Sequence, residues 1–220
     1  MTQACGLATI VDADTGYGEV ESVMRTVVEY ERAGAAALHL EDQVFPKRCG
    51  HLEGKTLIPP GDMAEKVAAA CEHRLDKDFI VIARTDARGV TGIEDAINRA
   101  NIYREAGADM IFPEGLESER EFADFAQGSP GLLLANMTEF GKTPDIPAAR
   151  FAELGYQLVI YPLSMLRLAM GEVMRCLNQL KQQGTMAGLL DRMQTRAELY
   201  ELLGYNPDKE WDYPNTPVRA

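Results

Sequence analysis

A parallel (β/α)8 barrel of the TIM type is the fold class this sequence predicts, and three observations predict it. Apolar strand patterns alternate with amphipathic helix patterns about six times along the 220 residues. The strand patterns are apolar without alternation, as expected of strands buried on both faces of a parallel sheet. Polar residues stand at the C-terminal end of nearly every strand pattern. In a closed barrel those ends converge on one face; a doubly wound sheet would concentrate ligand residues at one switch point.

The elements follow in order. ATIVD at 8–12 reads as a strand ending in Asp12, with Asp14 just beyond. Residues 19–33 carry Val20, Val23, Met24, Val27 and Val28 on one helical stripe. Next comes a register that recurs in three segments, 32–41, 105–114 and 153–162. Each has a glycine after a helical pattern (Gly34, Gly107, Gly155), then an apolar strand, then Glu or Pro seven residues past the glycine. Such a glycine suits the left-handed residue that ends a helix. FIVIA at 79–83 and LLLA at 132–135 complete the strands, and helices are predicted over 62–73, 93–106, 118–125 and 148–154. Two longer helices, 165–183 and 187–203, close the pattern. We expect residues 1–205 to form one barrel domain with C-terminal helices, and 206–220 to form a tail. A barrel needs eight units and usually about 250 residues. Because this chain opens on a strand, about six of the eight units are expected, without the two N-terminal ones.

The formal net charge of -12 argues against nucleic acid or an anionic membrane as a partner. No apolar run reaches the ~20 residues of a membrane span, and the first residues lack a signal-peptide layout. Cysteines 5, 49, 71 and 176 lie far apart, which points to a reducing cytoplasm.

Asp12 and Asp14 lie on one face of an extended chain, and Glu41 and Asp42 end the next strand. A hard cation such as Mg²⁺ takes one or two carboxylates and keeps waters for its substrate; helix capping by Asp14 is the competing reading. Arg84, at a strand end, suits a bidentate grip on a carboxylate, or an internal ion pair. Glu114 could orient a base or a water, and Asn136 and Thr138 offer neutral hydrogen bonds. Cys49 lies in FPKRCGHLEGK beside Lys47, Arg48 and His51, cations that would favour its thiolate, and Gly50 and Gly54 suit a lid. The plain alternative is a bystander thiol. Cys71 and Cys176 read as packing residues, Cys5 as a bystander, and His39 and His73 as structural. Arg167 and Arg196, taken alone, read as surface residues.

Taken together, VDADTG (11–16), HLEDQ (39–43), KRCGH (47–51), ARTDA (83–87) and FPE (112–114) resemble the isocitrate lyase and phosphoenolpyruvate mutase superfamily. The resemblance runs nearly the whole chain. KRCGH is similar to the lyase branch, and NMTEFGKTP (136–144) looks like 2-methylisocitrate lyases and their near relatives. The resemblance implies a Mg²⁺-dependent retro-aldol cleavage of a 2-hydroxy di- or tricarboxylate, with Mn²⁺ as a substitute metal. For 2-methylisocitrate the products would be pyruvate and succinate; a sibling lyase for 2,3-dimethylmalate is the alternative. It further implies Asp12 and Asp14 at the metal, where Glu41 from the next strand end is expected to join them, and Cys49, Arg84 and Glu114 in catalysis. Substrate contacts would come from Cys49, Gly50, His51, Arg84, Glu114, Asn136, Met137, Thr138, Arg167 and Arg196. Homotetramers with exchange of the late helices are implied as well. Because full-length relatives supply a Ser-Gly loop, a further acid and a tyrosine from the N-terminal units, a non-catalytic chain that only associates with full-length subunits is the contrasting expectation.

Overall fold

The computed structural model describes Thr2 and residues 6–209. Six parallel strands form one sheet in chain order: β1 (Ile10–Asp12), β2 (Ala37–Glu41), β3 (Ile80–Thr85), β4 (Met110–Pro113), β5 (Leu132–Asn136) and β6 (Leu158–Ile160). Five helices connect them: α1 (Val20–Arg32), α2 (Pro60–His73), α3 (Ile93–Glu105), α4 (Glu119–Gly128) and α5 (Ala148–Glu153). The three recurring glycines do follow helices, with φ of 89° at Gly34, 108° at Gly107 and 92° at Gly155. A side chain would be strained there, so each helix stops at the residue that lets the chain turn back into the sheet.

Alternate residues of each strand point to opposite sides. One side carries Leu38, Leu40, Val81, Ala83, Ile111 and Leu133, which pack with Val23, Val27, Met63, Val67, Tyr103 and Phe125 of the helices. Phe122, Phe151 and Tyr156 close this layer with ring centroids 4.9–5.6 Å apart. The other side has only a small apolar floor of Ala37, Ile82, Phe112 and Leu134. Above that floor, toward the strand C-termini, the same side turns polar: Asp12, His39, Glu41, Arg84 and Asn136. Register sets Asp12 beside His39, and Glu41 beside Arg84.

Residues Ala8–Pro162 form one compact unit, and the chain from Leu163 onward belongs to a second. In the second, α6 (Ser164–Gln183) is followed by a 3-10 helix (Ala187–Arg192) and α7 (Arg196–Leu203). The single helix expected over 187–203 is therefore two pieces. Thr195 breaks it: its hydroxyl accepts the Glu198 N–H, while the Glu198 carboxylate accepts from the Thr195 N–H. This capping box starts a new helix at Arg196, and T-x-x-E was its visible signature. Glu172 of α6 meets Arg175 at 2.6 Å and Arg192 at 2.7 Å. Cys5 and most of the expected tail lie outside the described residues. Among those described, no helix is long and apolar enough to cross a membrane.

Candidate active site

Arg84 is the hub of the polar face. Its Nε and Nη2 donate to the two carboxylate oxygens of Asp86 at 2.9 and 3.1 Å. Nη1 lies 3.2 Å from Glu41 Oε2 and Nη2 3.4 Å from Glu114 Oε2. Phe112 backs the guanidinium, 5.2 Å from ring centre to Cζ. Burial alone would make this cation easier to deprotonate, but Glu114, Asp86 and Glu41 hold it firmly charged. The internal ion pair weighed against substrate grip is thus present, and it ties three strand ends together.

Glu114 follows β4 and is 3% exposed. Burial pushes its pKa up, but Arg84, His51 and Asn136 more than offset this and hold it at about 2. Asn136 Nδ2 donates to its two oxygens at 3.1 and 3.3 Å, and the Gly115 N–H donates at 2.8 Å. His51 Nδ1 accepts from the Lys142 N–H at 3.0 Å, which leaves Nε2 as the protonated nitrogen, 3.2 Å from Glu114 Oε1. Glu114 is therefore held as an anion and an acceptor at neutral pH.

The segment after β2 reaches back over this pair. At its base Ile58 N–H donates to Asp42 O and Val44 N–H to Thr56 O, each at 2.8–2.9 Å. Gln43 clamps the loop from below, its side chain bonding both the carbonyl and the N–H of Arg48 at 2.9 Å. Lys55, nearly buried, donates to the carbonyls of Gly50 and Leu52 and lies 3.9 Å from Asp86 Oδ1. Gly50 ends up so close to Arg84 and Glu114 that a Cβ there would meet Glu114 Cγ at 2.1 Å and Arg84 Nη2 at 2.8 Å. Cys49, one residue before this contact, is exposed and free. Its neighbouring cations face other groups: Arg48 bonds the Glu53 carbonyl at 3.3 Å, and Lys47 turns to the acids.

Around the Lys47 ammonium stand Asp14 at 2.7 Å, Glu41 at 3.4 Å and Asp12 at 4.0 Å. Burial works against its charge, but Asp14, Glu41 and Asp12 overcome this and raise its pKa. Glu41 is fully buried; burial drives its pKa up to about 7, against Arg84 and Lys47, which pull it down. Its Oε1 has no hydrogen-bond partner. Among the described residues no three carboxylate, imidazole or thiol groups are arranged as a metal cage. The donor set nonetheless fits a hard cation, which needs few protein ligands. Asp12, Asp14 and Glu41 already converge on one positive charge. Moreover, five carboxylates (Asp12, Asp14, Glu41, Asp86, Glu114) here face three fixed cations (Lys47, Arg84, Lys55), an imbalance a divalent ion would cancel.

A cavity of about 260 Å³ opens on the inner face between Asp12, His39, Arg84, Phe112, Glu114 and Asn136. Beside it, Met137, Thr138, Phe140, Thr143, Asp145 and Tyr161 line another of about 330 Å³. Of the sequence-predicted residues, Arg84, Gly50, His51 and Asn136 all meet Glu114. Asp12, Asp14 and Glu41 gather on Lys47, while Met137 and Thr138 continue from β5 into the second cavity. Arg167 and Arg196 stand on α6 and α7 in the other unit. Sequence reasoning missed several partners. His39, taken as structural, faces the cavity, with Nδ1 3.6 Å from Asp12 Oδ1; burial keeps its pKa low. Asp42, read with Glu41 as an acid that could approach the cation, is instead buried behind the site, accepting from Thr85 at 2.7 Å, Tyr103 at 2.8 Å and the Asp86 N–H at 2.9 Å. Gln43 carried no signal beyond its place after two acids.

Comparison with known proteins places the chain. The phosphoenolpyruvate phosphomutase family profile matches residues 1–181. A 2-methylisocitrate lyase of Aeropyrum pernix is 50% identical over 96% of this chain and 68% of its own length. A probable 2-methylisocitrate lyase of Corynebacterium glutamicum is 54% identical over 94% and 68%. Among solved structures, 2,3-dimethylmalate lyase superposes with a TM-score of 0.81 at 40% identity, covering 88% of this chain and 65% of that one. Phosphonopyruvate hydrolase, solved with oxalate and Mg²⁺, gives 0.78 at 31%, covering 90% and 69%. The chain thus spans about two thirds of the length of these proteins.

Proposed function

Because the chain belongs to the phosphoenolpyruvate phosphomutase family, whose members include lyases half identical to it, we propose that it carries the active site of a carbon–carbon lyase. The substrate is a 2-hydroxy tricarboxylate, 2-methylisocitrate, and the products are pyruvate and succinate. One observation carries this reading: the Cys49 loop is seated, through Gly50, on the Arg84–Glu114 pair at the strand ends.

In the cleavage, the hydroxyl releases its proton to solvent and its oxygen becomes the keto oxygen of pyruvate. The bond between the two halves breaks, and its electron pair passes to a carbon next to a carboxylate. The Cys49 thiol gives that carbon a proton, completing succinate, and the exposed thiolate is reprotonated from solvent. Arg84 and Glu114 fix the floor on which the loop closes, while His51 and Asn136 hold Glu114 ionised. Asp12, Asp14 and Glu41 would hold Mg²⁺, or Mn²⁺ in its place. When bound, such an ion polarises the hydroxyl and its neighbouring carboxylate. Met137 and Thr138, at the cavity beside Asn136, are placed to meet another part of the substrate.

A second reading, cleavage of 2,3-dimethylmalate, is supported by the likeness to that lyase. Assembly with other subunits is supported by α6, where Met165, Leu166, Leu168 and Met174 are each more than half exposed. The free thiols at 49, 71 and 176 support a reducing, cytoplasmic setting. The test is turnover of both acids with Mg²⁺. The expected result is pyruvate from 2-methylisocitrate, abolished in Cys49→Ser with substrate binding retained. Faster turnover of dimethylmalate moves the assignment to the sibling, and undiminished turnover by Cys49→Ser removes the thiol from the mechanism.

A further inference from the structure

Lys47 sits where a cation belongs. Its ammonium is within 4.0 Å of Asp12, Asp14 and Glu41 together, and it is donated not by the sheet but by the loop that carries Cys49. We propose that Lys47 is a placeholder cation: it neutralises the carboxylate trio in the metal-free protein and must leave when a divalent ion binds there. The inference rests on the metal reading above and goes beyond it, because it concerns a residue that holds no metal.

Three observations support the exchange. Among the described residues the trio has no other fixed cation within 4.0 Å than Arg84, whose Nη1 reaches only Glu41; His39, beside Asp12, is kept neutral by burial. Glu41 Oε1 is fully buried and unpartnered, so one ligand atom stays unsatisfied while the lysine is in place. An ammonium has three donors and prefers compact oxygen acceptors, yet here one contact is short and two are long, at 3.4 and 4.0 Å. A divalent ion and an ammonium sharing the same oxygens would repel each other strongly. The site holds one or the other.

The consequence reaches the loop. Lys47 lies two residues before Cys49 and one before Arg48, which Gln43 grips. Release of Lys47 frees the proximal limb of the loop, while the Gly50 contact and the Lys55 bonds hold the distal limb. Metal binding would therefore loosen residues 45–47 selectively, between the bonds that hold Val44 and Arg48.

Mn²⁺ binding, followed by the loss of the free-ion spin-resonance signal, tests this in the wild type and in Lys47→Met, which keeps the stem and drops the charge. The expected result is binding at least about ten-fold tighter in K47M. Structural damage would weaken binding, so the direction is diagnostic. Hydrogen exchange gives an independent readout: saturating Mg²⁺ should speed exchange at the amides of residues 45 and 47 in the wild type and change little in K47M. If K47M fails to fold, Lys47→Gln carries the same two expectations. Equal or weaker Mn²⁺ binding in a folded variant overturns the placeholder role and leaves the metal reading standing. No binding in either protein overturns the metal reading and the inference with it.

Discussion

Replacing Arg84 by methionine keeps an apolar stem and removes the charge at the centre of the site. The wild-type guanidinium faces Asp86, Glu41 and Glu114 at 2.9, 3.2 and 3.4 Å. Without it the three buried carboxylates lose their shared cation, and only the more distant Lys47, Lys55 and His51 face them. Removing one partner of a buried ion pair costs about 3–5 kcal/mol. Glu114 shows the same dependence: against the upward push of burial, Arg84 first, then His51 and Asn136, hold its pKa at about 2, so a large part of that depression disappears with the guanidinium. Urea unfolding at pH 7 should therefore show a midpoint about 2 M lower, for a slope of about 2 kcal/mol per M. The pH dependence follows from the signs. In the wild type, Glu114's depressed pKa contributes stability that is complete above about pH 4.5 and lost as pH falls through 2. In the variant, the same buried carboxyl titrates above its ordinary value, so the folded state gains stability as pH falls. The gap between the two proteins should narrow from pH 7 to pH 4. A gap under about 1 kcal/mol at pH 7, or one unchanged at pH 4, would refute the reasoning.

Three further outcomes are expected. Gly50→Ala inserts a methyl group 2.1 Å from Glu114 Cγ, an overpacking of about 1–3 kcal/mol that the loop relieves by lifting; tryptic cleavage after Lys47 and Arg48 should accelerate, and unchanged digestion argues against the seated loop. Tyr103→Phe removes the 2.8 Å bond to the Asp42 carboxylate and should lower stability by about 1.5–3 kcal/mol, the range for bonds to a charged group; a melting curve identical to wild type excludes it. Thr195→Ala deletes the capping box and should cost α7 about 1 kcal/mol, seen as faster amide exchange at 196–199 with no change in the sheet.

Much of the fold was legible because parallel strands buried on both faces write continuous apolar runs, and because Gly34, Gly107 and Gly155 mark where helices end. The helix expected over 187–203 failed because apolar spacing outweighed a capping signal that was present in the letters. In the site, Arg84 and Glu114 were visible as polar residues at strand ends, where a parallel sheet leaves chemistry. Lys47 was read as a charge near a thiol; its true neighbours belong to β1 and β2, and no local pattern reports a contact made by a loop folding back. His39 was hidden for a different reason. Its alternation with Ala37 and Glu41 puts it on the polar side, but a lone histidine inside an apolar run reads as core.

Chain-order strand pairing also bears on how the protein reaches this state. Each strand finds its partner in the preceding unit, so the sheet can grow stepwise as the chain emerges, without waiting for distant segments. The longest of these steps joins Ala37 to Ile80, and the shortest joins Met110 to Leu132. Their lengths differ by about a factor of two, and a doubling of loop length costs only about 0.6 kcal/mol in closure entropy. The long step is the one that contains residues 44–57. The segment seated through Gly50 on Arg84 and Glu114 is thus carried at small thermodynamic cost.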